Sequence, residues 1–448
     1  MYVNRRRAFI VFEAVALGER IKPVQEAVRR VLYRHRIRDE KLFKSITGLV
    51  YSIFRNYGLV DYVVRETIGI DVAGLSPWER GVVRTIGYIR FFDKLLSIRE
   101  KKRFYKYALM YLEKKGAGGR TRLRSSQLYL LTSASWSPRN RFEEIMVRYR
   151  VSMELYRALD KAFRELEEDL GYILEYSLKP WRHHVFRVNS LKASLEAIYN
   201  HLRDLGYRVE RGRYSRQALR IYGSLGREVV RFIETGVLIP QDESSMVAIE
   251  LLPLEDTVEI ADLCAAPGGK TTYLAEKTRL KTRIHAFDVN RDRVKRLRTL
   301  LERTGVSKAV RVYHRDAREA PEILGGNSMD IVVVDPPCSS TGAIARNPDV
   351  RWRYNEEEIK EITRLQQQLL ETAYKITKSG GYILYTTCSL LPWEGEYIVK
   401  KIIEKHGDLE IVKLSKPFKQ SPILPQTMRS YPHIHHVIGF YYALLRKR

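Results

Sequence analysis

Three cysteines in 448 residues cannot build a disulfide framework, and the chain has neither a CxxC pair nor a His/Cys cluster with the spacing of a zinc site. A reducing compartment, the cytoplasm, is therefore expected, and no metal. Long apolar runs are missing too. The apolar pieces near the N-terminus, such as AFIVFEAVALG, are short, broken by Glu13 and below the about 18 residues of a membrane span, so neither a span nor a signal peptide is expected. No membrane partner is expected. Internal repeats and low-complexity tails are absent from the pattern, and nothing in it demands a second copy, so a monomer is expected.

Acid is scarce relative to base. Lys and Arg number 79 against 53 Asp and Glu, a formal charge of +26. An excess of this size points to a polyanion, because neutralised phosphates release counterions and bind without regard to sequence. The excess is uneven: residues 1–135 carry 28 basic against 12 acidic side chains, whereas 136–180 are balanced.

Residues 1–135 repeat apolar positions at three- and four-residue spacing in VQEAVRRVLYRH, FKSITGLVYSIFRNYGLVDYVV and RFYKYALMYLEKK, which predicts a basic helical bundle. Ser76-Pro77 reads as a helix start, with Ser as cap and Pro at the first position. After the Gly-rich segment KKGAGGRTRLR, residues 136–245 read as a helical linker followed by a small α/β unit built from VFRVNSL, LEAIYNHLRDLGY, RVERG, ALRIYG and VVRFIETGVLIPQD. From 246 to 448 short apolar strands, VEIADL, RIHAFDV, VRVYHRD, DIVVVDPP and GYILYTT, alternate with amphipathic helices. That alternation predicts a doubly wound α/β domain with a largely parallel sheet, whose ligands bind at the carboxyl edge.

The candidate residues fall on that edge. Strand one ends at Asp262 and enters Cys264-Ala265-Ala266-Pro267-Gly268-Gly269-Lys270, where small residues let the backbone approach a ligand and the next helix offers free N–H groups. A phosphate-binding P-loop would need Gly at 264, which is Cys. Asp288, 20 residues after Gly268, stands where an acidic side chain reaches ribose hydroxyls. Asp316 and Asp335 close the next two strands, so carboxylates in register could meet the amine and ammonium groups of a nucleoside cofactor.

Cys338 follows Asp335-Pro336-Pro337, and Cys388 ends the strand GYILYT. If those strands are adjacent, both thiols share one pocket. A thiolate suits chemistry at C5 of cytosine, where addition at C6 makes C5 nucleophilic enough to take a methyl group. Asp335 would hydrogen-bond the base at N3 and its amine, and Lys270 would stabilise charge at O2 or orient the carboxylate. Lys270 and loop N–H groups would lower a cysteine pKa. For Cys264 a buried filler role and a functional one are equally open.

DLCAAPGGKT at 262–271, FDVNRDRVKRL at 287–297, RDA at 315–317, DPPCSSTG at 335–342 with RNPDVRW, LQQQLLETA at 365–373 and YTTCS at 385–389 together resemble the Sun/NOL1/NOP2 family of RNA cytosine-C5 methyltransferases. The resemblance is dense from about residue 180 onward. It implies a class I (Rossmann-like) methyltransferase domain using S-adenosylmethionine, with Arg293 joining the loop and aspartates as cofactor contacts. It further implies Cys388 as nucleophile and Cys338 as the thiol assisting product release, with RNA as partner and rRNA of the 16S type as the expected target. In related DNA enzymes the PPC cysteine is itself the nucleophile. Residues 1–130 resemble the helical RNA-binding domain of NusB more weakly, and 185–245 resemble an RRM-like subdomain without an aromatic base-stacking pattern. The same reaction on tRNA, an exocyclic-amine methyltransferase and a catalytically silent assembly factor are the alternatives. The target cytosine must be single-stranded or looped, and Arg346 to Tyr354 is a candidate substrate loop in which Trp352 could equally pack.

Overall fold

The computed structural model describes residues 3–21, 24–37, 39–116, 122–179, 181, 183–255 and 258–448; the centre of the Gly-rich segment, 117–121, lies outside them. The chain forms two compact units, one of Met1–Arg157 with Arg346–Tyr354, the other of Ala158–Ala345 with Asn355–Arg448.

The first unit is helical, with α1 (Arg5–Gly18), α2 (Val24–Arg34), α3 (Glu40–Ile68), α4 (Pro77–Phe91), α5 (Ile98–Gly116), α6 (Ser125–Ser133) and α7 (Arg141–Tyr149); α8 (Met153–Glu165) contains the residue at which the unit ends. Its core comes from the periodic apolar faces: Ile10, Val11 and Phe12 of α1, Ile53, Phe54 and Val60 of α3, Val82, Val83 and Ile86 of α4. Gly81 lets α1 and α4 approach, since an added Cβ would overlap the Phe12 carbonyl oxygen. The helix start at Ser76-Pro77 is present as a capping box, in which Glu79 Oε2 accepts the Ser76 N–H at 2.9 Å.

The stretch read as a substrate loop puts two of its residues into this helical packing instead. Arg351 is fully buried and donates to the Tyr149 carbonyl at 2.9 Å, while Trp352 Nε1 donates to the Arg55 carbonyl at 2.9 Å. The Trp352 ring lies so close to Gly58 that a Cβ there would overlap it. Burial, followed by the charges of Arg55 and Arg150, brings Arg351 down to about 9.

In the second unit, α9 (Leu170–Leu178) precedes a small sheet made of β1 (His183–Val188), β2 (Val209–Arg211), β3 (Ala218–Tyr222) and β4 (Leu238–Pro240), with α10 (Leu195–Asp204) and α11 (Arg227–Glu234) between strands. The order β2-β3-β1-β4, all antiparallel, is the split β-α-β arrangement. Phe186 and Val188 pack on Ile198, Leu202, Val229 and Phe232. Arg187 alternates to the opposite face.

Next, α12 (Glu243–Glu250) leads into the larger sheet. Its strands are β5 (Glu259–Asp262), β6 (Arg283–Phe287), β7 (Val310–Tyr313), β8 (Met329–Val334), β9 (Thr377–Thr387), β10 (Leu409–Val412), β11 (Lys419–Gln420), β12 (Met428–Ser430) and β13 (Phe440–Lys447). The helices are α13 (Gly269–Lys277), α14 (Arg291–Thr304), α15 (Ala320–Leu324), α16 (Glu356–Ile376), α17 (Glu396–Lys405) and α18 (Pro432–His435). The strand order is β11-β12-β13-β9-β8-β5-β6-β7, with β10 also paired to β13. Strands β5 to β9 pair in parallel and β13 joins β9 antiparallel. Alternate residues feed two cores: Ile260, Ala286, Ile331 and Val333 on one face, Ala261, Phe287, Val332 and Val334 on the other. Both faces are therefore covered, as a doubly wound Rossmann-like sheet requires. The chain runs outward in one direction from β5 and in the other from β8, so the switch point falls between these strands.

Candidate active site

At the end of β5, Asp262 is buried and anchors the loop that follows. Its Oδ2 accepts from Thr271 Oγ1 at 2.7 Å, and burial pushes its carboxyl up to about 6 against that hydrogen bond. Ala265 N–H donates to the Phe287 carbonyl at 2.9 Å, tying the loop to the end of β6. Gly268 caps α13 with φ +111°, a conformation for glycine, and an added Cβ would stand 2.7 Å from Leu297 Cδ1. Arg293 donates to the Ala266 carbonyl and lies 3.4 Å from Asp288 Oδ2, while Asp288 Oδ1 accepts the Asn290 N–H at 2.9 Å. Asp288 is thus oriented from two sides. Asp316 is held by Arg318, with Nη2 at 2.6 Å from Oδ2, and that pairing keeps its carboxyl low. Cys264 sits among Asp262, Asp335 and Asp288; burial first, then those carboxylates, push its thiol well up, so it stays protonated. A nucleophilic task for Cys264 does not fit that surrounding.

The reacting end is built by β8 and β9, which pair in parallel with Val334 opposite Tyr385. Cys338, four residues past the end of β8, brings its Sγ to 3.2 Å from Cys388 Sγ. The two strands are neighbours and the two thiols meet, as expected. Cys388 is held below the usual thiol range chiefly by a hydrogen bond from Cys338, against burial, with smaller help from Ser340 and Lys270; Cys338 goes well above it for the reciprocal reason and because it is buried. Lys270 was expected to do this lowering; its main engagement is with Asp335, 2.6 Å from Nζ to Oδ2. The Lys270 ammonium also stands 5.1 Å from the Phe440 ring centroid.

Gly342 fixes how these loops meet. Its N–H donates to the Cys388 carbonyl at 3.0 Å and its carbonyl accepts from Gly439 at 3.0 Å, so that any Cβ at 342 would overlap the Gly439 oxygen.

Several charged residues that support the site carry no periodic or motif signal. Arg187 reaches the start of α13, donating to the Gly269 carbonyl at 2.7 Å. Glu394 lies buried between the thiol loops, and Arg429, paired with Glu396, donates to the Ser389 carbonyl at 3.1 Å. The string LPWEGE after Cys388 was the only available hint of the two glutamates. Among the described residues no helix is long and apolar enough to cross a membrane.

Residues 248–446 match the family model described as 16S rRNA methyltransferase RsmB/F, the region that holds the loop, aspartates and thiols. A ribosomal RNA small subunit methyltransferase B from Yersinia enterocolitica is 34% identical over 215 residues, 48% of this chain and 48% of that protein. A mouse 28S rRNA (cytosine-C(5))-methyltransferase is 32% identical over 278 residues, 58% of this chain and 35% of that one. The chain thus spans about half or less of the length of these curated relatives. Over its whole length it matches the crystal structure of PH0851, with 33% identity, complete coverage of both chains and a TM-score of 0.91.

Proposed function

Residues 248–446 belong to the RsmB/F methyltransferase family, and on that premise we propose that the chain methylates C5 of a cytosine in RNA through a covalent Cys388–C6 adduct. The observation that carries this reading is the pair of thiols at 3.2 Å on adjacent strand ends, beside the Lys270–Asp335 pair.

The residues around the loop fit a nucleoside methyl donor. Backbone N–H groups at the start of α13 suit a carboxylate, Asp288 suits ribose hydroxyls, and Asp316 suits an adenine amine. S-adenosylmethionine, when bound, supplies an electrophilic sulfonium methyl group. Cys388, as thiolate, adds to C6 of the cytosine, and the electron pair moves toward N3, where a proton shared with Asp335 receives it. Lys270 orients Asp335 and offsets its charge. C5 is then nucleophilic enough to be methylated. Loss of the C5 proton to a base, expulsion of the Cys388 thiolate and return of the N3 proton to Asp335 restore the neutral aromatic ring. Cys338, positioned on Cys388 with a high pKa, is suited to exchange a proton with it during release.

Small-subunit rRNA is the favoured substrate, supported by the names of the family and of the Yersinia relative and by the basic first 135 residues, which suit phosphate contacts. The NusB-like reading of that part belongs to the same proposal. Trapping on RNA containing 5-fluorocytidine tests the chemistry: the adduct should vanish in Cys388→Ala and persist in Cys338→Ala, and the reverse pattern would overturn the assignment. Comparing methyl transfer from labelled cofactor to 16S rRNA and to tRNA transcripts tests the substrate.

A further inference from the structure

The contact between the two thiols has to be made by loops from different strands, each ending in a cysteine and each continuing into a serine, Ser339 and Ser389. Both serines turn to one carboxylate. Glu394 Oε1 accepts the Ser339 N–H at 2.8 Å and Gln366 Nε2 at 3.2 Å; Oε2 accepts Ser339 Oγ at 2.5 Å and Ser389 Oγ. Gln366, on α16, also donates to the Pro337 carbonyl at 2.8 Å, so it braces the residue before Cys338. The Glu394 carbonyl in turn accepts Tyr385 Oη at 3.0 Å and Thr387 Oγ1 at 3.3 Å, which anchors the carboxylate to β9 itself.

Glu394 has no exposed surface, and among the described residues no lysine or arginine forms an ion pair with it. Burying a carboxylate without a cation is unfavourable unless hydrogen bonds replace its water. Here burial pushes the carboxyl up and the Ser339, Ser389 and Gln366 bonds pull it back. A group kept at that cost has a task other than stability, and the donors it gathers are those adjacent to the two thiols.

We propose that Glu394 is a positioning residue that sets the Cys338–Cys388 contact by holding the serine after each cysteine on one carboxylate. The proposal rests on the covalent reading of the site but concerns placement, so the two can fail separately. Glutamine is the informative replacement. Its amide oxygen can still accept the Ser339 N–H and Gln366, and its NH2 can donate to the two hydroxyls, which rotate to suit. It keeps the geometry and discards the charge. Alanine discards both.

The test uses the full chain and two readouts. One needs no RNA: the rate at which diamide, a two-electron thiol oxidant, joins Cys338 to Cys388 as a disulfide with loss of both thiol protons, read by peptide mass spectrometry. The other is adduct formation on 5-fluorocytidine RNA at saturating cofactor. Glu394→Ala should slow both by about tenfold to a hundredfold, the scale of a misplacement of about 1 Å, with RNA and cofactor affinity changed by less than about threefold. Glu394→Gln should restore both to within about threefold of wild type. Ser389→Ala, which removes one donor and leaves the carboxylate, should give an intermediate loss and serves if Glu394→Ala does not fold. Wild-type crosslinking in Glu394→Ala, or a Gln variant as slow as the Ala variant, would overturn the proposal. Absence of an adduct in the wild type would instead sink the covalent reading and leave the crosslinking result standing.

Discussion

Arg187 on β1 and Glu276 on α13 form an ion pair with neither side chain exposed, Nη2 standing 2.6 Å from Oε1. The same guanidinium donates to Thr272 Oγ1 at 2.8 Å and the Gly269 carbonyl at 2.7 Å, so the small sheet carries a cation that closes the first turn of the helix after the cofactor loop. Removing one partner of a buried pair leaves the other charge uncompensated. Glu276→Gln or Arg187→Ala should lower the unfolding free energy by about 3–5 kcal/mol, while Arg187→Met with Glu276→Leu should recover most of it. Denaturant titration checks the stabilities, and calorimetric titration of S-adenosylmethionine should show weaker binding in Arg187→Ala than in Glu276→Gln, because only the former releases Gly269.

Gly342→Ala should reduce methyl transfer more than it reduces stability. The added methyl group must displace Gly439 or the Cys388 carbonyl, and overpacking of this kind costs about 1–3 kcal/mol. The rate should fall by about a hundredfold if Cys388 moves by about 1 Å. Single-turnover kinetics beside a thermal melt would separate the two effects, and an unchanged rate would show that the strain is taken up at Gly439.

Asp262 gives a pH signature. An aspartate in the unfolded chain titrates near about 4, and burial raises this one to about 6. A raised carboxyl favours the folded state while protonated, so its contribution is complete below about 4 and disappears as pH rises through about 6. Asp262→Asn should remove that dependence. The stability of wild type relative to the variant should drop by about 3 kcal/mol between pH 4 and 7, and parallel curves for the two proteins would refute the assignment.

Cys338→Ala deprives Cys388 of its main hydrogen bond. The pH profile for iodoacetamide alkylation of Cys388, followed by peptide mass spectrometry, should move to higher pH, since the thiolate loses its donor. Cys264 should stay slow throughout in both proteins because its thiol is pushed well up. A profile unmoved by Cys338→Ala would assign the lowering to Lys270 and Ser340 instead.

The strand-end residues could be read from the chain because each parallel strand, buried on both faces, is an apolar run that stops abruptly at Asp262, Asp288, Asp335 or Cys388. Among the antiparallel additions β10 to β13, β11 has two residues and β12 three, too few for a periodic signal, whereas β13 is an eight-residue apolar run that no site motif marks. Arg187 within VFRVNSL looks like the outward residue of a half-exposed strand, and only the packing of α13 against that face makes it a buried cation. Glu394 and Glu396 are likewise indistinguishable in sequence from surface charges. The proton balance of the thiols was also beyond reach, since it depends on a sulfur–sulfur distance rather than on residue type.

The nine residues from Arg346 to Tyr354 belong to the helical unit although the chain reaches them only after most of the parallel sheet has been laid down. The helical unit is therefore completed only after most of the sheet has been made. A ribosome that has released residues 1–157 has not yet made Arg351 or Trp352, and a fragment cut at that point lacks the side chains that cover Gly58 and meet the Arg55 and Tyr149 carbonyls. A fragment ending at residue 157 therefore carries the helical unit without its last strip of packing, and a deletion made at that boundary leaves Arg346–Tyr354 without the helices they pack on.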